Sequence, residues 1–236
     1  MRNNTLGICL LIGVSAVGSL TQAVASDKAD QPTTLEFRVL GMSCGSCAES
    51  ATEALATVRG VLEPAVSFDS KQARVRSDGT VTRKQIRDAL ATLGFEARFE
   101  DEALDSDPLP EELRAGLDIQ TVSHGEKIRL KDHLTPGKIT IFDYYAEWCG
   151  PCHLLTPKLE RLVLKYEDVA LRKVDLVDYE SKAAVQATRE FSLPGLPFTR
   201  VFNDRGKLLG QIHGNRVEDI EAIVQPFARI RRQETP

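Results

Sequence analysis

The sequence predicts an α/β protein with two domains in one chain of 236 residues. Three observations carry that reading. Strand-like alternation and helical spacing follow one another as βαββαβ over residues 33–99. An acidic stretch containing Pro108 and Pro110 comes next. Beyond it, a nearly continuous apolar run opens a series of alternating helices and strands that ends in a hairpin.

In the first domain, Leu35, Phe37 and Val39 alternate with polar residues, as a half-buried strand does. A cysteine-containing loop follows. Ala51, Leu55 and Val58 then recur at helical spacing, and Gly60 ends that helix. Val61 to Phe68 reads as a strand, Asp69-Ser70-Lys71 as a turn, and Ala73 to Arg76 as another strand. Asp78-Gly79 is a second turn signal. Thr82 opens a helix with Ile86, Leu90 and Leu93 on one face, closed by Gly94, and Phe95 to Phe99 is the last strand. This order fits a ferredoxin-like sandwich of about seventy residues.

Glu100 to Asp118 reads as a flexible linker with one helical turn at Glu111 to Ala115. In the second domain, Ile139 to Tyr145 has the composition of a strand buried on both faces. A helix follows with Leu155, Leu159, Leu162 and Tyr166 inward. Val169 to Val174 is a strand, Ala183 to Phe191 a helix, and Phe198 to Phe202 a strand. Asn203 to Gly206 turns the chain into Lys207 to Ile212, and Val217, Ile220, Ile223, Val224 and Phe227 mark a final amphipathic helix. The result is a mixed sheet with helices on both faces.

A net charge of -4 and 42% hydrophobic residues are ordinary for globular protein and give no sign of nucleic-acid binding. The short basic tail of Arg229, Arg231 and Arg232 reads as the solvated end of a helix. At the other end, Arg2 precedes an uncharged apolar stretch, Leu6 to Leu20, and Ala23-Val24-Ala25 is a small-x-small site before polar residues. Residues 1–25 therefore read as a secretory signal cleaved after Ala25; if uncleaved, they would be a membrane anchor. Export, and in a bacterium the periplasm, is the expected location.

Five cysteines occur. Cys9 lies in the leader, so the mature chain would carry only two CxxC pairs. Cys44 and Cys47 stand on a loop entering a helix, where two thiolates can converge on one soft ion. With no third Cys and no nearby His, the pair suits Cu(I) better than a closed tetrahedral zinc site. The alternative is a structural disulfide, because exported thiols tend to be oxidised. Cys149 and Cys152 also open a helix. There a thiolate attacks disulfides and a second Cys resolves the mixed disulfide. Cys149 is expected to be the attacking, more exposed sulfur and Cys152 the buried one.

Gly41-Met42-Ser43-Cys44-Gly45-Ser46-Cys47 resembles the metal loop of heavy-metal-associated domains, and Gly60-Val61 and Gly94-Phe95 stand where that family carries similar pairs. The resemblance implies Cys44 and Cys47 as ligands of Cu(I) or another soft metal ion, Met42 as a buried prop and Phe95 packed beneath the site. Ala146-Glu147-Trp148-Cys149-Gly150-Pro151-Cys152 is similar to the thioredoxin active site. That resemblance implies Asp143 as proton acceptor for Cys152, Lys173 as its partner, Trp148 beside the pair, and Pro197 as a cis-proline facing it and binding substrate backbone. Pro157 and Gly214 match further family positions. The leading strand and Pro136-Gly137-Lys138 look more like exported, TlpA-like thioredoxins. His153 departs from the pattern and reads as a solvated helix residue or a tuner of the pair. Phe198 also departs, and either enlarges a docking surface or fills core.

The domains expected are a signal peptide at 1–25, a heavy-metal-associated domain at 33–99, an acidic linker at 100–118 and a thioredoxin domain at 119–232. Together they imply an exported thiol–disulfide oxidoreductase, a protein-disulfide reductase, fused to a Cu(I)-type module that it keeps reduced. No organic cofactor is expected. The expected partners are protein disulfides, a transmembrane thiol electron donor and a metal-client protein. The alternative is a copper scavenger or chaperone whose thioredoxin domain serves for partner docking.

Overall fold

The computed structural model describes residues 32–100 and 102–232. The leader, its cleavage site and Cys9 lie outside the described residues. Among those described, no helix is long and apolar enough to cross a membrane.

The chain first forms β1 (Thr33–Leu40), α1 (Gly45–Ala56), β2 (Val61–Val66), β3 (Gln72–Ser77), α2 (Arg83–Ala91) and β4 (Glu96–Arg98). These strands make an antiparallel sheet in the order β2-β3-β1-β4, the ferredoxin-like arrangement. Alternation explains its core. Phe37 and Val39 of β1 and Ala73 and Val75 of β3 point inward onto Leu55 of α1 and Ile86 and Leu90 of α2. Thr82 starts α2 with a capping box, its hydroxyl accepting from the Gln85 amide while Gln85 accepts from the Thr82 amide.

The segment after β4 is pinned, not the free coil its acidic composition suggests. Arg98 pairs with Asp107, whose other oxygen accepts from the Leu104 amide at 3.0 Å. A short helix, α3 (Glu111–Arg114), is tied by Arg114 Nε to Glu160 at 3.0 Å. Asp118 pairs with both Lys138 and Arg172. These charges bind the segment to both domains, so a random-coil estimate of its reach does not apply.

The second sheet has the order β5-β7-β6-β8-β9. Its strands are β5 (Ile119–His124), β6 (Ile139–Tyr145), β7 (Val169–Asp175), β8 (Phe198–Phe202) and β9 (Leu208–His213), with helices α4 (Gly150–Lys165), α5 (Lys182–Phe191) and α6 (Val217–Val224). β5, β7 and β6 run parallel, and β8 and β9 are antiparallel additions. All seven residues of β6 are buried, as its composition predicts. One core lies between the sheet and α4 and α6, and a second lies on the opposite face under α5.

Two local readings need correction. Phe227 does not continue the last helix: α6 ends at Val224, Pro226 follows, and the Phe227 ring is 59% exposed. The basic tail is not a solvated helix end. Arg229 donates from its amide to Asp168 and from Nε to Glu167, both at 2.8 Å, and Arg231 caps carbonyls at the end of α4. Residue 230 also bridges to Tyr166.

Leu55 is fully buried whereas Leu62 is half exposed. Leu55→Ala should therefore cost about 2–5 kcal/mol, and Leu62→Ala should stay within about 0.5 kcal/mol. Urea unfolding followed by circular dichroism checks the pair, and equal losses would contradict this packing.

Candidate functional site

The redox loop hangs between β6 and α4, and the fold places it at the carboxyl end of a central strand. The Cys149 amide donates to the Ala146 carbonyl at 3.0 Å, turning the chain out of β6. Cys149 is the N-cap of α4, and Pro151 occupies the first turn. Cys149 and Cys152 are disulfide-bonded, with their Cα atoms 5.3 Å apart. The Cys152 amide donates to the Cys149 sulfur at 3.2 Å. In the reduced state that amide and the helix N-terminus favour a thiolate at Cys149.

The residues implied by resemblance lie in the loop itself and on or next to β6, β7 and β8. Leu196–Pro197 is a cis peptide, and Leu196 packs against Cys149, Cys152, Tyr145 and Ala146. Trp148 is 45% exposed, packs at a tilt against Tyr179 and donates from Nε1 to the Val177 carbonyl at 2.8 Å. Asp143 lies beneath, fully buried. Its pKa is pushed up to about 6 by burial, against the lowering effects of the Lys173 charge and the Thr156 hydrogen bond. Lys173 is the register partner of Asp143 on β7, and its ammonium stands 4.5 Å from the centroid of the Tyr145 ring.

Three neighbours of Asp143 were not singled out from the sequence. Thr156 Oγ1 donates to Asp143 Oδ2 at 3.2 Å. Glu160 is buried, paired with Arg114, and raises the Asp143 pKa further. Thr199 is the register partner of Asp143 on β8; its hydroxyl and Asp143 Oδ1 are both buried without a partner among the described residues. Thr156 and Glu160 follow Cys152 at successive four-residue steps, so helical spacing was the available signal. His153 lies on the exposed side of α4 and donates from Nε2 to the Glu147 carbonyl at 2.7 Å. Phe198 is core: it is buried and stacks with Phe191.

The claw stands at the matching end of the first domain. Cys44 is the N-cap of α1, and its carbonyl accepts from the Cys47 amide at 3.2 Å. The two cysteines are disulfide-bonded, with Cα atoms 5.2 Å apart. Cys44 is exposed and Cys47 half-buried. Met42 is buried in the core below, and the Phe95 ring lies under Gly41. Lys71, also unmarked in the sequence reading, donates from Nζ to the Met42 carbonyl at 3.3 Å and so brings a positive charge to the loop. Among the described residues no cluster of three or more His, Cys, Asp or Glu can hold a metal ion. The donor set is therefore two sulfurs, available only when the disulfide is reduced. That set fits a soft ion of low coordination number and not a closed tetrahedral site.

The expected difference in exposure between the redox cysteines is absent. Cys149 is 3% exposed and Cys152 1%. Cys149 packs with Tyr145, Ala146, Cys152 and Leu196 of its own domain, and the claw loop of the first domain rests on the start of α4 beside it. A methyl group on Gly150 would run into the Gly41 carbonyl. A Cβ on Gly41 would lie 2.8 Å from Leu154, and one on Gly94 would lie 3.4 Å from Pro151. Gly41 and Gly94 also have positive φ, at 91° and 77°. Backbone meets backbone here, and only glycine permits it.

Comparison with known proteins agrees with both halves. Residues 123–226 match the thioredoxin family and residues 36–96 the heavy-metal-associated domain. Thioredoxin H8 of Arabidopsis thaliana is 36% identical over 103 residues, 44% of this chain and 66% of that protein. The chain thus spans just under two thirds of that relative. Thioredoxin of Rattus norvegicus is 32% identical over 91 residues, 39% of this chain and 81% of the relative. Among solved structures, the CopZ metallochaperone is 30% identical, covering 28% of this chain and 98% of its own, at a TM-score of 0.26. At the identity it shares with most of the rat protein, the chain belongs to the thioredoxin family, with a heavy-metal-associated domain on the N-terminal side of its redox domain.

Proposed function

We propose that this protein is an exported thiol–disulfide reductase that keeps its own metal claw in the thiolate form. The seating of the claw loop on the redox helix carries the reading. Gly41 touches Gly150, between the two redox cysteines. Cys44 follows Gly41 by three residues, a reach of at most about 10 Å. In this reading a shift of the loop brings claw and redox sulfurs together. The leader at residues 1–25 supports export, to the periplasm if the source is bacterial. Export also supplies the need, because an oxidising compartment closes the claw.

The exchange balances as two electrons passed between dithiols. The Cys149 thiolate attacks one sulfur of the Cys44–Cys47 disulfide, forming a mixed disulfide and releasing the other claw thiolate. Cys152 then attacks the Cys149 sulfur, freeing the second claw thiolate and leaving Cys149–Cys152 oxidised. Asp143 accepts the Cys152 proton, a role its pKa of about 6 suits near neutral pH. Trp148 adjoins Cys149, Pro197 follows the Leu196 that packs on the pair, and Lys173 biases Asp143 towards its charged form. A reducing direction fits the Gly150-Pro151 dipeptide, which in thioredoxin accompanies a potential of about -270 mV. Electrons must then come from outside, from a transmembrane thiol relay in the TlpA-like scheme. The reduced Cys44 and Cys47 would hold the metal, Cu(I) by ligand softness, and pass it to a client protein. No nucleic acid and no organic cofactor enter this reading.

Two outcomes are expected. Dithiothreitol should reduce the claw at least about tenfold faster in the wild type than in the Cys149→Ser/Cys152→Ser double variant, since the redox thiolate is the better placed nucleophile. Quenched alkylation and mass spectrometry read the rates, and equal rates would remove the claw as a substrate. The second concerns Asp143, whose folded pKa lies above its unfolded value of 3.8. Its burial therefore costs little below pH 3.8 and increasingly more as pH rises towards about 6. Asp143→Asn should stabilise the chain by about 2 kcal/mol more at pH 8 than at pH 4.5, in urea melts at each pH. The same variant should slow release of the mixed disulfide, and a pH-independent gain in stability would contradict the buried-acid account.

A further inference from the structure

A reductase of folded proteins needs an open approach to its attacking sulfur, and here the approach is roofed. Cys149 is 3% exposed, and the residues after it, Gly150, Pro151 and Leu154, lie against Gly41 and Gly94 of the first domain. Pro197, on the other side of the pair, is buried as well. The roof is held by polar contacts on the next turns of α4. Lys158 pairs with Glu96 of β4, and both side chains are mostly buried, at 13% and 18% exposure. Asn215 Nδ2 donates to the same carboxylate at 3.4 Å, and Ser106 donates to its second oxygen. Arg161 donates to the Asp107 carbonyl at 2.7 Å. The apolar cores of the two domains share no residue. The side-chain hydrogen bonds and ion pairs across this seam are of the kind that part more readily than either core unfolds.

We propose that the first domain is a selectivity cap on the redox site, with the Glu96–Lys158 pair as its latch. Closed, the cap admits the claw of its own chain and excludes folded protein disulfides. Foreign proteins react only with the opened form, in which the ion pair and the Gly41–Gly150 contact are broken. The proposal rests on the oxidoreductase reading but not on the claw being its substrate, since shielding of Cys149 applies to any disulfide.

Charge reversal tests the latch. Lys158→Glu sets two carboxylates face to face and should raise the rate of insulin-disulfide reduction by the full-length protein roughly tenfold. Glu96→Lys should do the same from the other domain. The double variant Glu96→Lys/Lys158→Glu restores an opposite-charge pair and should return the rate towards that of the wild type. Glu96→Gln, a milder change that keeps the shape of the side chain, should give a smaller rise and guards against misfolding of the reversals. Alkylation of reduced Cys149 by iodoacetamide should follow the same order, and the redox potential of the pair should not. Equal insulin and alkylation rates in all these proteins would overturn the cap. So would faster single variants whose charge swap fails to slow the reaction, or a rise explained by a changed potential. Loss of claw reduction with the latch effect intact would sink the claw reading alone.

Discussion

The arrangement of this molecule depends on one close approach: the backbone of the claw loop at Gly41 lying against the backbone of the redox helix at Gly150. Neither position tolerates a side chain in that arrangement. The contact also joins the two helix N-termini that matter chemically. α1 begins at Cys44 and α4 begins at Cys149, and each helix presents free amides and a partial positive charge to its first cysteine. Two sites that favour thiolates are thus held at one seam. The seating of the claw loop on the redox helix follows from this packing, and the segment joining the domains, with its Arg98–Asp107 and Arg114–Glu160 pairs, is tied to both sides of it.

A second constraint lies under the redox pair. Asp143 sits in a strand with both faces covered, and one of its oxygens has no hydrogen-bond partner among the described residues. A carboxylate in that setting prefers its proton, and the Lys173 charge only partly offsets the preference. Such a group weakens the fold at neutral pH. Its retention on the central strand is understood if a proton must move near Cys152 during exchange. Glu160 and Arg114 extend this electrostatic environment from the linker helix towards the active site, so the segment joining the domains also touches the chemistry.

Much of the fold was legible because its signals are local. The alternation of Leu35, Phe37 and Val39, the capping box at Thr82 and the apolar run of Ile139 to Tyr145 each concern residues within one element, where period and burial are linked directly. The CxxC motifs were legible for the same reason. The seam between the domains was not, because Gly41 read as part of the metal loop and Gly94 as a helix end, and nothing local shows that both meet the start of α4. Glu96 and Lys158 likewise carry no local pattern; each is an ordinary charge on its own element until the domains meet. The linker and the basic tail were misread through composition. Acidic and basic stretches suggest solvated chain, but several charges here find fixed partners on the folded surface, Asp118 on Arg172 and Arg229 on Glu167 among them.

The account turns on direct exchange between the two cysteine pairs across the seam, and trapping the exchange tests that claim most directly. In a Cys152→Ser chain the mixed disulfide cannot be resolved, so it should accumulate. The account predicts that dilute protein with a reduced Cys149 and an oxidised claw forms an intramolecular bond from Cys149 to Cys44 or Cys47. Peptide mapping would find it, at a rate independent of protein concentration. A claw disulfide that stays intact beside a free Cys149 thiol, or one that reacts only between molecules, would contradict it.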